Sequence, residues 1–165
     1  MSEKVKQALC WLKNLLENEQ VTYQIVGGLA ARLHGGQREI ADIDLYIHNH
    51  DANKILPHVK PFISKSLAHH MEYGWDLEYF QVIYHGQKIE IGLSQNTKIQ
   101  SRKDGSWHPL EIHFSESIYK TYQGIELPVM PVQQLIEYKG ILAREVDQID
   151  IKELILITSG DHLHD

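Results

Sequence analysis

A single cysteine, Cys10, stands in 165 residues, so no disulfide can form within the chain, and a reducing cytoplasm is the expected setting. No apolar run approaches the roughly 20 residues that a membrane-spanning helix needs. The opening MSEKVKQALCW carries charge but neither the apolar core nor the cleavage site of a secretory leader. Positive charge is also scarce. Sixteen lysines and arginines face 22 acids, a net charge of −6, which speaks against a general nucleic-acid coat protein while leaving room for a local basic patch. The glycines form neither GxGxxG nor GxxxxGK[ST], and Gly92-Leu93-Ser94 is not a nucleophile elbow. Eleven histidines are many, yet His48 and His50, His69 and His70, and His162 and His164 lack a cysteine or acid at zinc-site spacing. No repeat, low-complexity tract or linker interrupts the chain, so one domain over residues 1–165 is expected.

What is present concentrates in residues 25–47, IVGGLAARLHGGQREIADIDLYI. The pattern predicts a buried strand over 22–26, a turn at Gly27-Gly28, one or two helical turns ending at Gly35-Gly36, and a strand over 42–47. Strand alternation puts Asp42 and Asp44 on one face, with Ile43 and Leu45 on the other. Two neighbouring carboxylates resist joint ionisation, and a divalent cation is the usual remedy.

Around this stretch, residues 2–18 read as an amphipathic helix with Ser2 as N-cap and Val5, Leu9, Leu12 and Leu16 on its apolar face. Asn49-His50-Asp51 caps a short helix broken by Pro57 and Pro61. Residues 77–93 read as a hairpin turning at His85-Gly86-Gln87, and its second arm sets Glu90 between two isoleucines. Residues 96–107 read as a polar loop, and 110–114 and 125–129 as strands. Pro131 opens a helix, and a second follows from about 147 to 157. A mixed α/β domain accommodates all of these.

Lys139 falls three positions after Ile136 and four after Leu135, on an apolar stripe where an unpaired ammonium is disfavoured, so it needs an anion or must snorkel at the helix edge. If that anion belongs to a bound ligand, replacement of Lys139 by methionine is expected to leave the stability of the ligand-free protein unchanged or higher, because the ammonium no longer has to be desolvated. Arg38 has the same two readings. Arg144, Asp147 and Asp150 suit an ion-paired helix junction with Asp147 as N-cap. The segment 72–79, EYGWDLEY, either stacks on and attracts a cationic small molecule or divides into core rings and surface acids.

The string hydrophobic-Gly-Gly, a thirteen-residue spacer, then Asp42-Ile43-Asp44-Leu45, with Glu90 in a later strand, resembles the signature of the nucleotidyltransferase superfamily that includes DNA polymerase beta. In size and layout the chain is most similar to the small lincosamide and aminoglycoside nucleotidyltransferases and to nucleotidyltransferase toxins. The resemblance implies a nucleotidyltransferase fold, α/β (α+β), with helices on a mixed sheet and a C-terminal helical pair. It implies one or two Mg²⁺ on Asp42, Asp44 and Glu90, with Glu90 either a ligand or the base for the incoming hydroxyl. It implies a nucleoside triphosphate, expected to be ATP, held by Gly27, Gly28, Arg38 and Lys139. The expected activity is transfer of a nucleoside monophosphate to a hydroxyl of a small molecule, such as an antibiotic, with release of pyrophosphate. The alternatives are a toxin-like enzyme acting on tRNA or a protein, and a catalytically silent binding module.

Overall fold

The computed structural model describes the backbone of residues 2–163 and the side chains of residues 3–160. The capping role of the Ser2 side chain and the His162 and His164 pair therefore lie outside the described residues. Thirteen helices and strands follow one another among these residues, apart from three short 3₁₀ turns. They are α1 (Ser2–Asn18), β1 (Tyr23–Val26), α2 (Gly27–Leu33), β2 (Ile43–Ile47), α3 (Ala52–Val59), β3 (Ile63–Glu72), β4 (Trp75–Tyr84), β5 (Gln87–Gln100), β6 (Trp107–Pro109), β7 (Ile118–Tyr122), β8 (Ile125–Val129), α4 (Val132–Leu142) and α5 (Glu145–Leu163).

The strands form one mixed sheet in the order β3-β4-β5-β2-β1-β8-β7, with β6 paired to β5 off this path. The β2–β5 and β1–β8 pairs are parallel and the others antiparallel. The architecture is the α/β one expected, a mixed sheet with helices packed on it and a C-terminal helical pair. Its core joins the apolar face of α1 (Leu9, Leu12, Leu16) to Ile25, Ile43, Leu45, Ile89 and Ile91 of the central strands. Those strands are covered on both faces, which is why they read as short apolar runs.

Three hairpins turn on two residues with positive φ, at Tyr73-Gly74, His85-Gly86 and Gln123-Gly124. Such a pair of left-handed residues matches the twist of the strands it joins. The expected hairpin over 77–93 is the middle one, and its arms are longer than the sequence suggests. Residues 96–107 are not one polar loop. Asn96 takes φ +66°, a conformation asparagine tolerates, and β5 then resumes with Thr97 and Ile99 facing the core. The Thr97 hydroxyl donates to the Leu93 carbonyl across the irregularity, at 2.9 Å.

Residues 110–114 form no strand; Leu110 anchors the segment by its own burial and by an N–H bond to the Thr97 carbonyl at 2.9 Å. Pro57 lies inside α3 rather than ending it, and the chain leaves helical geometry only past the 3₁₀ turn Lys60–Phe62. α5 begins at Glu145, so Asp147 is its third residue and not its N-cap; its carboxylate reaches back to the Arg144 N–H at 3.1 Å. No helix among the described residues is long and apolar enough to cross a membrane.

Candidate active site

The β1–α2 turn, the start of β2, the middle of β5 and the C-terminal helical pair meet around a pocket of about 590 Å³. Parallel pairing sets Asp44 of β2 directly beside Glu90 of β5. Asp42 lies just before β2 rather than within it, and it lines the same pocket. The opposite face of β2 is buried, with Ile43 and Leu45 at 0% and 1% exposure, as alternation requires.

The three carboxylates act on one another. Burial first, then the charges of Glu90 and Asp42, push the Asp44 carboxyl up to about 7. Glu90 is also raised, by burial and then by Asp42. Nearby cations do not neutralise this group by direct pairing, because Arg38, Lys139 and Arg144 are committed to Asp147 and Asp150.

Those five residues form a cluster whose centre, Lys139, Asp147 and Asp150, is buried while the two arginines reach solvent. Arg38 grips Asp150 with two bonds of 2.9 and 2.8 Å, and Arg144 grips Asp147 with two of 2.7 and 3.0 Å. Lys139 bridges them, its ammonium 3.0 Å from Asp150 and 3.3 Å from Asp147. Burial alone would push the Asp150 carboxyl up, but the Arg38 and Lys139 cations outweigh it and hold it below the usual carboxylate range. Three cations share two acids, so the cluster carries one surplus positive charge at the pocket's edge. The ion-paired junction expected of Arg144, Asp147 and Asp150 is present, with Lys139 and Arg38 drawn into it.

The glycine pair serves its immediate neighbours. Gly27 has φ +67°, and a Cβ there would lie 2.7 Å from an Asp44 carboxylate oxygen. A Cβ on Gly28 would lie 2.9 Å from the Arg38 guanidinium. The Gly27 N–H is already engaged, donating to the Tyr138 hydroxyl of α4 at 2.9 Å. Tyr138 thus ties the glycine turn to the helix that carries Lys139. A lone buried tyrosine beside a charged residue advertises a polar partner in principle, but which partner depends on packing across 111 positions.

The contact between Tyr46 and Gly92 has no signal in the sequence either. They pair across β2 and β5, and the Tyr46 ring fills the space a Cβ at Gly92 would need, 2.6 Å away. Arg38, Lys139, Gly27, Gly28, Asp42, Asp44 and Glu90 all line the one pocket. Among the described residues, however, no three histidine, cysteine or acidic side chains form a ready-made metal cage. The acids share a pocket without converging on one point.

Solved structures with this arrangement of strands and helices share little sequence with the chain. A Thermotoga maritima protein assigned to the nucleotidyltransferases superposes with a TM-score of 0.71 at 20% identity, covering 93% of each chain. The lincosamide antibiotic adenylyltransferase LnuA, solved with lincomycin bound, gives 0.62 at 19% identity over 92% of this chain and 96% of that one. ANT(2'')-Ia, solved in complex with adenylyl-2''-tobramycin, gives 0.60 at 11% identity over 96% and 93%. No curated protein sequence matches the chain. The family model for aminoglycoside-2''-adenylyltransferase, in contrast, matches residues 8–154, from within α1 to about the middle of α5, and takes in every site residue named above. The chain therefore belongs to the aminoglycoside-2''-adenylyltransferase family of nucleotidyltransferases.

Proposed function

We propose that the protein transfers AMP from ATP to a hydroxyl of a small-molecule acceptor, such as an antibiotic, with release of pyrophosphate. The observation that carries this reading is the meeting of Asp42, Asp44 and Glu90 with a surplus-positive cluster in one pocket. Nucleotidyl transfer needs opposed charges placed in this way, acids to recruit metal and cations to receive phosphate.

The donor set suits Mg²⁺. Three carboxylates of hard oxygen, one raised to about 7 by burial and its neighbours' charge, make a site whose ionised form a divalent cation would stabilise. Asp42, Asp44 and Glu90 would hold one or two ions, which when bound would neutralise phosphate charge and orient the acceptor oxygen. Glu90 either completes that set or takes the proton from the acceptor hydroxyl. Lys139 spends two of its three N–H donors on Asp150 and Asp147, and it lines the pocket. Its remaining donor, the Arg38 edge beside Gly28 and the Gly28 amide form the cradle for the triphosphate.

The open arrangement of the acids favours one rival, a module that binds nucleotide without transferring it. Melting curves and pyrophosphate release separate the two. Mg²⁺ with a non-hydrolysable ATP analogue at a hundredfold excess over Kd is expected to stabilise by about 2.7 kcal/mol, with each alone doing less. Labelled ATP with an acceptor panel of antibiotics, tRNA and proteins is expected to release pyrophosphate with a small molecule. A thermal shift without release from any acceptor would favour the silent module, and release with tRNA or a protein would favour the toxin-like alternative.

A further inference from the structure

The wall of the pocket away from Arg38 is built by β3 and β4, and strand alternation decides its chemistry. Along β4, Trp75, Leu77 and Tyr79 line the pocket, whereas the acids between them, Asp76 and Glu78, do not. Asp76 instead pairs with His69 of β3, and Glu78 is exposed to solvent. The acid-rich look of residues 72–79 is therefore misleading about the surface an acceptor meets.

What β3 adds is nearly balanced in charge. Among the described residues Glu72 is the only carboxylate on this wall; its oxygen lies 3.8 Å from the His70 ring, and Lys65 adds a positive charge further along β3. The Lys65 ammonium stands over the Tyr79 ring, 5.9 Å from its centroid, and the His70 ring packs on Tyr79 at 4.4 Å. Tyr138 meets Trp75 edge-on at 6.3 Å and carries the aromatic surface toward Asp44. A polycation would need several carboxylates beyond those committed to metal, and the wall supplies one that is already offset. An apolar ring face, by contrast, finds the half-buried Trp75 and Leu77 side by side, with the remaining open edge of the largely covered Tyr79 next to them.

We infer that the acceptor is an amphiphilic hydroxyl compound with at most one positive charge, whose apolar face lies on Trp75, Leu77 and Tyr79. Trp75 sets its affinity, and Glu72 contributes little. This rests on the transfer reading above, and it sets the chain's acceptor apart from the polycations that the family's name suggests.

The test is calorimetric titration in Mg²⁺ and a non-hydrolysable ATP analogue, with singly charged lincomycin and polycationic tobramycin as probes at low and high salt. Lincomycin is expected to bind at least about tenfold more tightly, with little salt dependence, because apolar contact is not screened. Trp75→Ala is expected to weaken it by about tenfold and Trp75→Tyr to restore most of the loss, whereas Glu72→Gln changes it by less than about threefold. Should Trp75→Ala not fold, Trp75→Leu takes its place, with the same loss expected. Tighter binding of tobramycin, a larger loss from Glu72→Gln than from a folded Trp75 variant, or binding of neither probe would overturn the inference. Loss of the nucleotide-induced thermal shift is a separate outcome that sinks the transfer reading instead.

Discussion

Replacing Lys139 by methionine probes the cluster at its centre. A lysine alone on an apolar stripe would be relieved by the change, and stability would hold or rise. The structure reverses that sign. The ammonium bridges two carboxylates with exposures of 0% and 1%, so the substitution removes two charge-assisted bonds worth roughly 1.5–3 kcal/mol each. Part of this is returned, because the ammonium no longer has to be desolvated. Each acid also keeps its two-bonded arginine, Arg38 on Asp150 and Arg144 on Asp147. The roughly 3–5 kcal/mol typical of stripping a buried pair is therefore an upper bound, and a net loss of about 2 kcal/mol is expected. For a chain of this size the melting temperature should fall by about 4–8 °C.

Asp150→Asn should cost more, because it leaves three cations around a single carboxylate. Scanning calorimetry on both variants checks the order. A Lys139→Met protein as stable as the parent would refute the bridging role. Titration of the folded variant with ATP and Mg²⁺ then asks whether Lys139 also meets phosphate. A Kd raised by one to two orders of magnitude is expected, and an unchanged Kd would leave Lys139 as a purely structural bridge.

Two further outcomes follow from the neighbouring residues. The Asp44 carboxyl stands at about 7 in the folded protein against roughly 3.9 when unfolded, so the folded state holds the extra proton between those values. The metal-free protein should therefore lose stability as pH rises from about 4 to about 7; Asp44→Asn should flatten that slope in urea titrations while abolishing pyrophosphate release, and an unaltered slope would contradict the buried-carboxylate account. Tyr138→Phe keeps the ring but leaves the Gly27 N–H without its acceptor, at a cost of about 1–3 kcal/mol, and should lower nucleotide affinity through the loosened turn. Wild-type stability and affinity in that variant would remove Tyr138 from the support of the site.

The acids were legible because each breaks an apolar run. Asp42, Asp44 and Glu90 interrupt segments that burial demands, and a charge in such a place needs a reason. The same rule found Lys139 and required an anion for it, but not which one. Asp147 and Asp150 lie eight and eleven residues further on, across a helix junction whose geometry no local pattern fixes. β3 escaped notice because Ser64, Lys65, Ser66 and His69 leave it polar on both faces, with no alternation to detect. The aromatic segment at 72–79 could be split only once β4 had a register, since a shift by one residue would have turned Asp76 and Glu78 inward. The glycine pair was visible, but its immediate neighbours were not: Asp44 occupies the room left by Gly27, and Arg38 the room left by Gly28.

The strand order has a consequence for how such a protein can change over generations. Asp44 and Glu90 sit on β2 and β5, each held by a neighbour on either side, so neither can slip without flipping its acids to the wrong face and breaking two ladders at once. β3, at the sheet's edge, answers to β4 alone. Its pairing already shifts register twice, between Ile63 and Lys65 and between Lys65 and Ala68, and β5 bulges against β4 only past Leu93, beyond the stretch from Ile89 to Leu93 that pairs with β2. The outer hairpin can thus absorb insertions and bulges that rearrange the wall the acceptor meets, while the inner strands stay locked in register. The inheritance of the chemistry and the drift of its clientele are written in different strands, which lets one reaction acquire new acceptors without being rebuilt.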